Sequence, residues 1–186
     1  MNRIEKISIL IGDVALPLMG YFFWDWNLYF ILLFFILDQL VRVLFLPQRL
    51  KLTQEANLAR TKIFVRQLVI FLIELTVIHS AVYLHQSDIH FWQEFKSFLS
   101  YKDMGIAQGY ILLPLILVGE WMRISNEKKL GVIGERQMAI IQINKRNGLL
   151  RIGFFALLTG LNSFVFIPQV LLVFLFLGFI ALLVFY

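Results

Sequence analysis

Trp26-Asn27-Leu28-Tyr29-Phe30-Ile31-Leu32-Leu33-Phe34-Phe35-Ile36-Leu37-Asp38-Gln39-Leu40-Val41-Arg42-Val43-Leu44-Phe45-Leu46 decides the fold class. The run Phe30 to Phe35 is apolar at every position, so it lacks the alternation of a barrel strand. A helix of roughly 20 such residues crosses a 30 Å hydrocarbon core. Within lipid, a helix satisfies its backbone amides in its own segment. Pro47 marks the expected end of this helix. Asp38 and Arg42 are its only charged residues, and their spacing of four places them on one face.

The rest of the chain repeats the theme. Of its 186 residues, 60% are hydrophobic and 16% charged, against about a quarter charged in a soluble domain. The charges gather in short stretches between apolar runs. The expected architecture is therefore an all-α, polytopic transmembrane bundle of about six short helices, forming a single domain over residues 1–186. Besides Trp26–Leu46, the helices are placed at about Ile7–Trp24, Ile63–Leu84, Gly105–Met122, Gly148–Ile167 and from Gln169 to Tyr186. The first is short and holds Gly12, Pro17 and Gly20, which predicts a kink or partial unwinding. Trp24, Trp26 and Tyr29 read as an interfacial aromatic belt. Polar stretches at about 48–62 and 123–147 read as cytosolic connections, the second partly helical. In the mixed segment at about 85–103, Phe91, Trp92, Phe95, Phe98 and Leu99 recur at helical spacing and predict a short amphipathic helix in the interface.

Lysine and arginine set the orientation. Fifteen of the seventeen fall at the N-terminus or in and beside the two polar connections; only Lys96 and Lys102 do not. The positive-inside rule then puts both termini in the cytoplasm of a bacterial inner membrane. An anionic membrane surface accounts for the net charge of +5, so nucleic acid is not an expected partner. The chain has no cysteine, which excludes disulfide and thiolate chemistry. No cleavable leader is evident in the first apolar run, and no lipidation motif is evident at Val-Phe-Tyr.

Ionisable residues inside apolar runs are the main functional pointer, because a charge there costs about 2.5–3.5 kcal/mol even on the mild insertion scale. Asp13 lies at the depth of Asp38 and Arg42, on a helix joined to theirs by a tight turn. The three form an expected cluster, with Arg66 nearby. It reads either as a proton or cation relay or gate, or as a structural ion pair that fixes helix packing. Glu74 sits mid-helix with His79 five residues on. They read as a protonatable pair on an aqueous path, or as a neutral carboxyl bonded to another helix, with Gln108 or Asn162 as the partner. His85, Asp88, His90 and Glu94 gather near one another, but a solvated loop explains them better than a metal site. No metal or cofactor is expected.

No catalytic motif of the common hydrolase, metalloprotease or nucleotide-binding types is present. His79 and Ser80 are adjacent on a helix and point about 100° apart, so they cannot act as base and nucleophile. Gly105, Gly109, Gly153 and Gly160 read as helix-packing positions, within the chain or between subunits. Arg49, Lys51, Arg60, Lys62, Lys128, Lys129, Arg136, Lys145 and Arg146 read as partner-docking cations on the two connections.

Pro17-Leu18-Met19-Gly20, Trp26 and the apolar run to Asp38 resemble an uncharacterised family of small multi-pass bacterial membrane proteins. Phe35-Ile36-Leu37-Asp38 stands where that family favours Tyr-Trp-x-Glu, a departure at three positions. The family has no assigned activity, so the resemblance implies the architecture and singles out Asp38 only. The expected function is a non-enzymatic membrane subunit that self-associates and docks a cytosolic protein in a bacterial multi-protein system, anti-phage defence among the candidates. The alternative is a small transporter, channel or solute-binding component using Asp13, Asp38 and Glu74; its size and span number are similar to those of the substrate-binding subunits of vitamin uptake transporters.

Overall fold

The computed structural model describes residues 10–53, 55–100, 108–165 and 167–185. Every regular element among them is helical: α1 is a π turn, Ile11–Ala15, running into Leu16–Phe23; α2 is Leu28–Lys51, α3 Asn57–His85, α4 Phe91–Ser100, α5 Gln108–Lys129, α6 Glu135–Phe164 and α7 Gln169–Phe185. Gly105 lies outside the described residues.

The quoted stretch forms the hub. Eight consecutive residues of α2, Tyr29 to Ile36, are buried. A helix buried on every face has neighbours on every face, and α2 touches all six other helices. Asn27 starts it, its Oδ1 accepting from Phe30 N–H at 2.8 Å, which satisfies one of the amides left open at a helix start. Around this segment aromatic rings meet edge to face. Phe98 of α4 packs on Trp26 and Phe30, and Phe176 of α7 packs on Phe35. α4 turns Phe98 inward and leaves Trp92 outside. We call this the aromatic end.

The opposite, basic end differs from expectation. α2 continues through Pro47 to Lys51. An interior proline costs about 3 kcal/mol; here Leu46, Arg49 and Leu50 are all buried, and that burial offsets the cost. The stretches 48–62 and 123–147 are likewise mostly helical; among the described residues only 52, 53, 55, 56 and 130–134 leave the helices. These two connections meet, with Gly134 N–H donating to the Leu52 carbonyl at 2.9 Å. Leu46, Leu50 and Ile141 form a small apolar cluster behind them.

Two helices, α2 and α3, are long and apolar enough to cross a membrane by length and composition, whereas α1 and α7 are apolar but shorter. Large apolar side chains also line the outside. Val65, Val69, Leu72 and Ile73 on α3 are roughly half exposed, as are Ile111, Leu115, Val118 and Met122 on α5.

Gly109 is where α5 meets α4: a Cβ there would lie 2.5 Å from Leu99 Cα and 2.7 Å from the Phe98 carbonyl oxygen. Gly153 and Gly160, expected at packing contacts, have no atom of another helix within 4 Å of a built Cβ, so they close no helix pair among the described residues. Gly109→Ala is expected to lower unfolding stability by about 1–3 kcal/mol, through overpacking against backbone. Gly153→Ala is expected to be neutral or to stabilise by roughly 0.5–1 kcal/mol. Equal effects of the two substitutions in a denaturant titration would contradict this packing.

Candidate functional site: a buried arginine–carboxylate chain

Asp38, Gln39, Arg42, Leu46 and Arg49 recur at three- and four-residue spacing, so they share one side of α2. That stripe organises almost every buried charge. Arg42 bridges two acids: its Nη2 lies 3.2 Å from Asp13 Oδ2 on α1, and its Nε lies 2.8 Å from Asp38 Oδ2. Asp13 sits in the π turn, a widening of the helix that recurs at functional positions.

Gln39 carries the chain onward. Its Nε2 donates to Asp38 Oδ2 at 3.2 Å, and its Oε1 accepts from Arg151 Nη2 of α6 at 3.1 Å. An amide placed between an anion and a cation has one sensible orientation, and this is it. Arg151 then grips Glu74 of α3 with two parallel bonds, Nε to Oε1 at 2.5 Å and Nη2 to Oε2 at 3.1 Å. Such a fork is the strong form of the pair. The Arg151 guanidinium also lies 5.2 Å from the Phe35 ring centroid. A continuous polar chain, Asp13–Arg42–Asp38–Gln39–Arg151–Glu74, thus ties α1, α2, α6 and α3 together.

A second node closes the basic end. Arg49 is only 1% exposed. Its Nε and Nη2 donate to Glu120 Oε1 at 3.0 and 2.9 Å, and its Nη1 to Glu127 Oε2 at 2.5 Å. Arg123 lies 3.4 Å from Glu120 and 3.6 Å from Glu127.

Arginine defines what the chain can do. A guanidinium is a permanent donor and does not release its proton at physiological pH, so a path that alternates carboxylates with arginines does not relay protons. Beside it is a cavity of about 40 Å³ lined in part by Gln39, Arg42, Gln67, Glu74, Asn144 and Arg151. It has room for water molecules but not for a solute.

The other expected residues fall elsewhere. Arg66 is exposed on α3, with no ion-pair partner among the described residues. Glu74 pairs with Arg151, not with His79 or Asn162; the Gln108 side chain is not described. His79 places Nδ1 2.8 Å from the Leu75 carbonyl and Nε2 3.1 Å from the Tyr29 hydroxyl. The carbonyl requires the proton on Nδ1, so Nε2 accepts from Tyr29. Asn162 Oδ1 accepts from Ile167 N–H in the α6–α7 turn at 3.1 Å. Glu94 Oε2 accepts from Asn27 at 3.3 Å, and no group of three potential metal ligands occurs among the described residues.

Arg49, expected on a docking surface, is instead a core residue. Lys51, Lys62, Lys128, Lys129, Arg136 and Arg146 are exposed, while Arg60 and Lys145 are partly buried. Arg60 donates to the Thr53 carbonyl at 3.2 Å. No protein-family model, curated protein or solved structure matches this chain. The functional reading therefore rests on its own residues.

Removing one member of a buried ion pair costs about 3–5 kcal/mol, because it leaves a bare charge, while replacing both members is often neutral. Arg151→Met is expected to destabilise the protein by about that much, and Arg151→Met/Glu74→Met to recover most of the loss. A double variant as unstable as the single, in equilibrium unfolding, would contradict the pairing.

Proposed function

We propose that the chain is a non-enzymatic, multi-pass subunit of a bacterial inner membrane. The arginine–carboxylate chain is its structural lock, and its basic end faces the cytoplasm as a docking platform. The sorting of charge carries this reading. Once the buried pairs are set aside, among the described residues the basic end presents the eight remaining docking cations and Arg66 against Glu55 and Glu135, and the aromatic end presents Lys96 against Asp25, Asp88 and Glu94. Such asymmetry is what the positive-inside rule selects. The belt between the ends is apolar on its outside, and a soluble monomer rarely leaves a contiguous apolar patch beyond a few hundred Å² open to water. On this reading α1, α2, α3, the Gly109–Met122 part of α5, the second half of α6 and α7 all lie in lipid. The outward face of α6, with Gly153 and Gly160 in open space, is then available to a second copy.

The small cavity at Glu74 favours a second reading, a transport component, in one respect only: it brings polar side chains to a shared hollow. Its size and its arginine lining support the structural role instead. Flux abolished by Glu74→Gln in proteoliposomes, with folding intact, would favour transport.

Topology tests the proposal directly, and the absence of native cysteine makes it simple. In intact cells stripped of the outer membrane, Ser87→Cys is expected to react with a membrane-impermeant maleimide. Lys128→Cys is expected to react only after permeabilisation. The reverse pattern, or labelling of both without permeabilisation, would overturn the orientation and the docking role with it.

A further inference from the structure

We infer that the loop joining α5 to α6 is a docking surface for an acidic, amphipathic segment of a cytosolic protein. The inference rests on the cytoplasmic placement of the basic end proposed above, and it names the kind of partner that end takes.

The loop is built. α5 stops at Gly131, whose φ is +69°, a conformation that a side chain disfavours. Gly131 N–H donates to the Lys128 carbonyl at 3.1 Å, and Val132 N–H to the Glu127 carbonyl at 2.8 Å. These two bonds are the Schellman helix stop. Gly134 then pins the far side of the loop to Leu52. Glu127 also serves the core, because its carboxylate holds Arg49. The residue whose carbonyl closes the turn is thus fixed from inside.

This ordered loop nevertheless presents Leu130, 73% exposed, and Ile133, 52% exposed. On the first turn of α3, the helix that follows the connection holding Leu52, Leu58 is 69% exposed. None of the three belongs to the apolar clusters of the fold. The seven residues from Arg123 to Lys129 carry the loop roughly 10 Å past the apolar run of α5, beyond the reach of lipid tails. Lys51, Lys128, Lys129 and Arg136 flank the apolar side chains, against Glu55 and Glu135. Apolar anchors set among cations match a segment with an apolar face and acidic flanks. The anchors supply affinity, and the charges supply steering and register. A helix laid along such a surface is a common form of this recognition.

The test uses the full chain in zwitterionic nanodiscs, which leave both faces open, so binding does not depend on orientation in cells. The probe is a fluorescent leucine–glutamate peptide with its leucines on one helical face, compared with a scrambled peptide of the same composition. The patterned peptide is expected to bind, and the scrambled one to bind about tenfold more weakly. Leu130→Ser/Ile133→Ser is expected to weaken binding about tenfold at unchanged thermal stability, and Lys128→Glu/Lys129→Glu to weaken it too. Equal binding of the two peptides, or undiminished affinity in the serine variant, would overturn the inference. So would recruitment of the nanodiscs to phosphatidylglycerol vesicles that the serine variant loses, because it assigns the loop to lipid headgroups. The maleimide pattern separates the two failures: a loop labelled from outside sinks the scaffold reading, and an inside loop that fails the peptide assay sinks only this one.

Discussion

A guanidinium inside an apolar bundle has to be met by carboxylates, and in this chain nearly all of those carboxylates come from other helices. Arg42, Arg49 and Arg151 sit among α1, α2, α3, α5 and α6, and each is met across a helix boundary. An isolated charge there would cost several kcal/mol after relaxation. The helices therefore cannot slide or rotate past one another without exposing a bare charge. Apolar packing alone would leave such motions cheap, because leucine and phenylalanine faces are nearly interchangeable between registers. The ion pairs fix the register that the apolar surfaces leave open.

The two ends of the molecule divide the work. At the aromatic end, the rings of α2, α4 and α7 bury one another and polar groups are few. At the basic end, Arg49 joins α2 to α5, and Glu127 passes that constraint on to the α5–α6 loop through its own backbone carbonyl. Among the described residues the exposed cations of this end, Lys51, Lys62, Arg66, Lys128, Lys129, Arg136 and Arg146, outnumber its exposed acids, Glu55 and Glu135, so its surface is positive.

Part of this was legible in the sequence. Asp38 and Arg42 share a face by spacing alone, and the tight turn at Trp24–Asn27 brings α1 beside α2, which placed Asp13 with them. The period of Phe91, Phe95 and Phe98 pointed to α4. The pairing of Glu74 with Arg151 was not legible, since the two are 77 residues apart on helices that are not consecutive. Arg151 falls in the expected Gly148–Ile167 helix but counts with the cations beside the 123–147 connection, because it follows Asn147 so closely. Arg49 read the same way because Pro47 looked like a stop, and only the burial of Leu46 and Leu50 shows why the helix continues. Glu120, Arg123 and Glu127 did carry a signal, three- and four-residue spacing on a single helix, which a reading by span boundary at Met122 divided.

Hydrogen exchange on the full chain in nanodiscs tests most directly whether the network acts as one unit. In Arg42→Gln, amides of the first turns of α1, of the Asp38–Lys51 part of α2 and of the Glu120–Lys129 part of α5 are predicted to lose protection together, while those around Phe30 and Phe98 keep it. Loss of protection confined to the turn around residue 42 would contradict the account and leave the arginine pairs as separate local contacts.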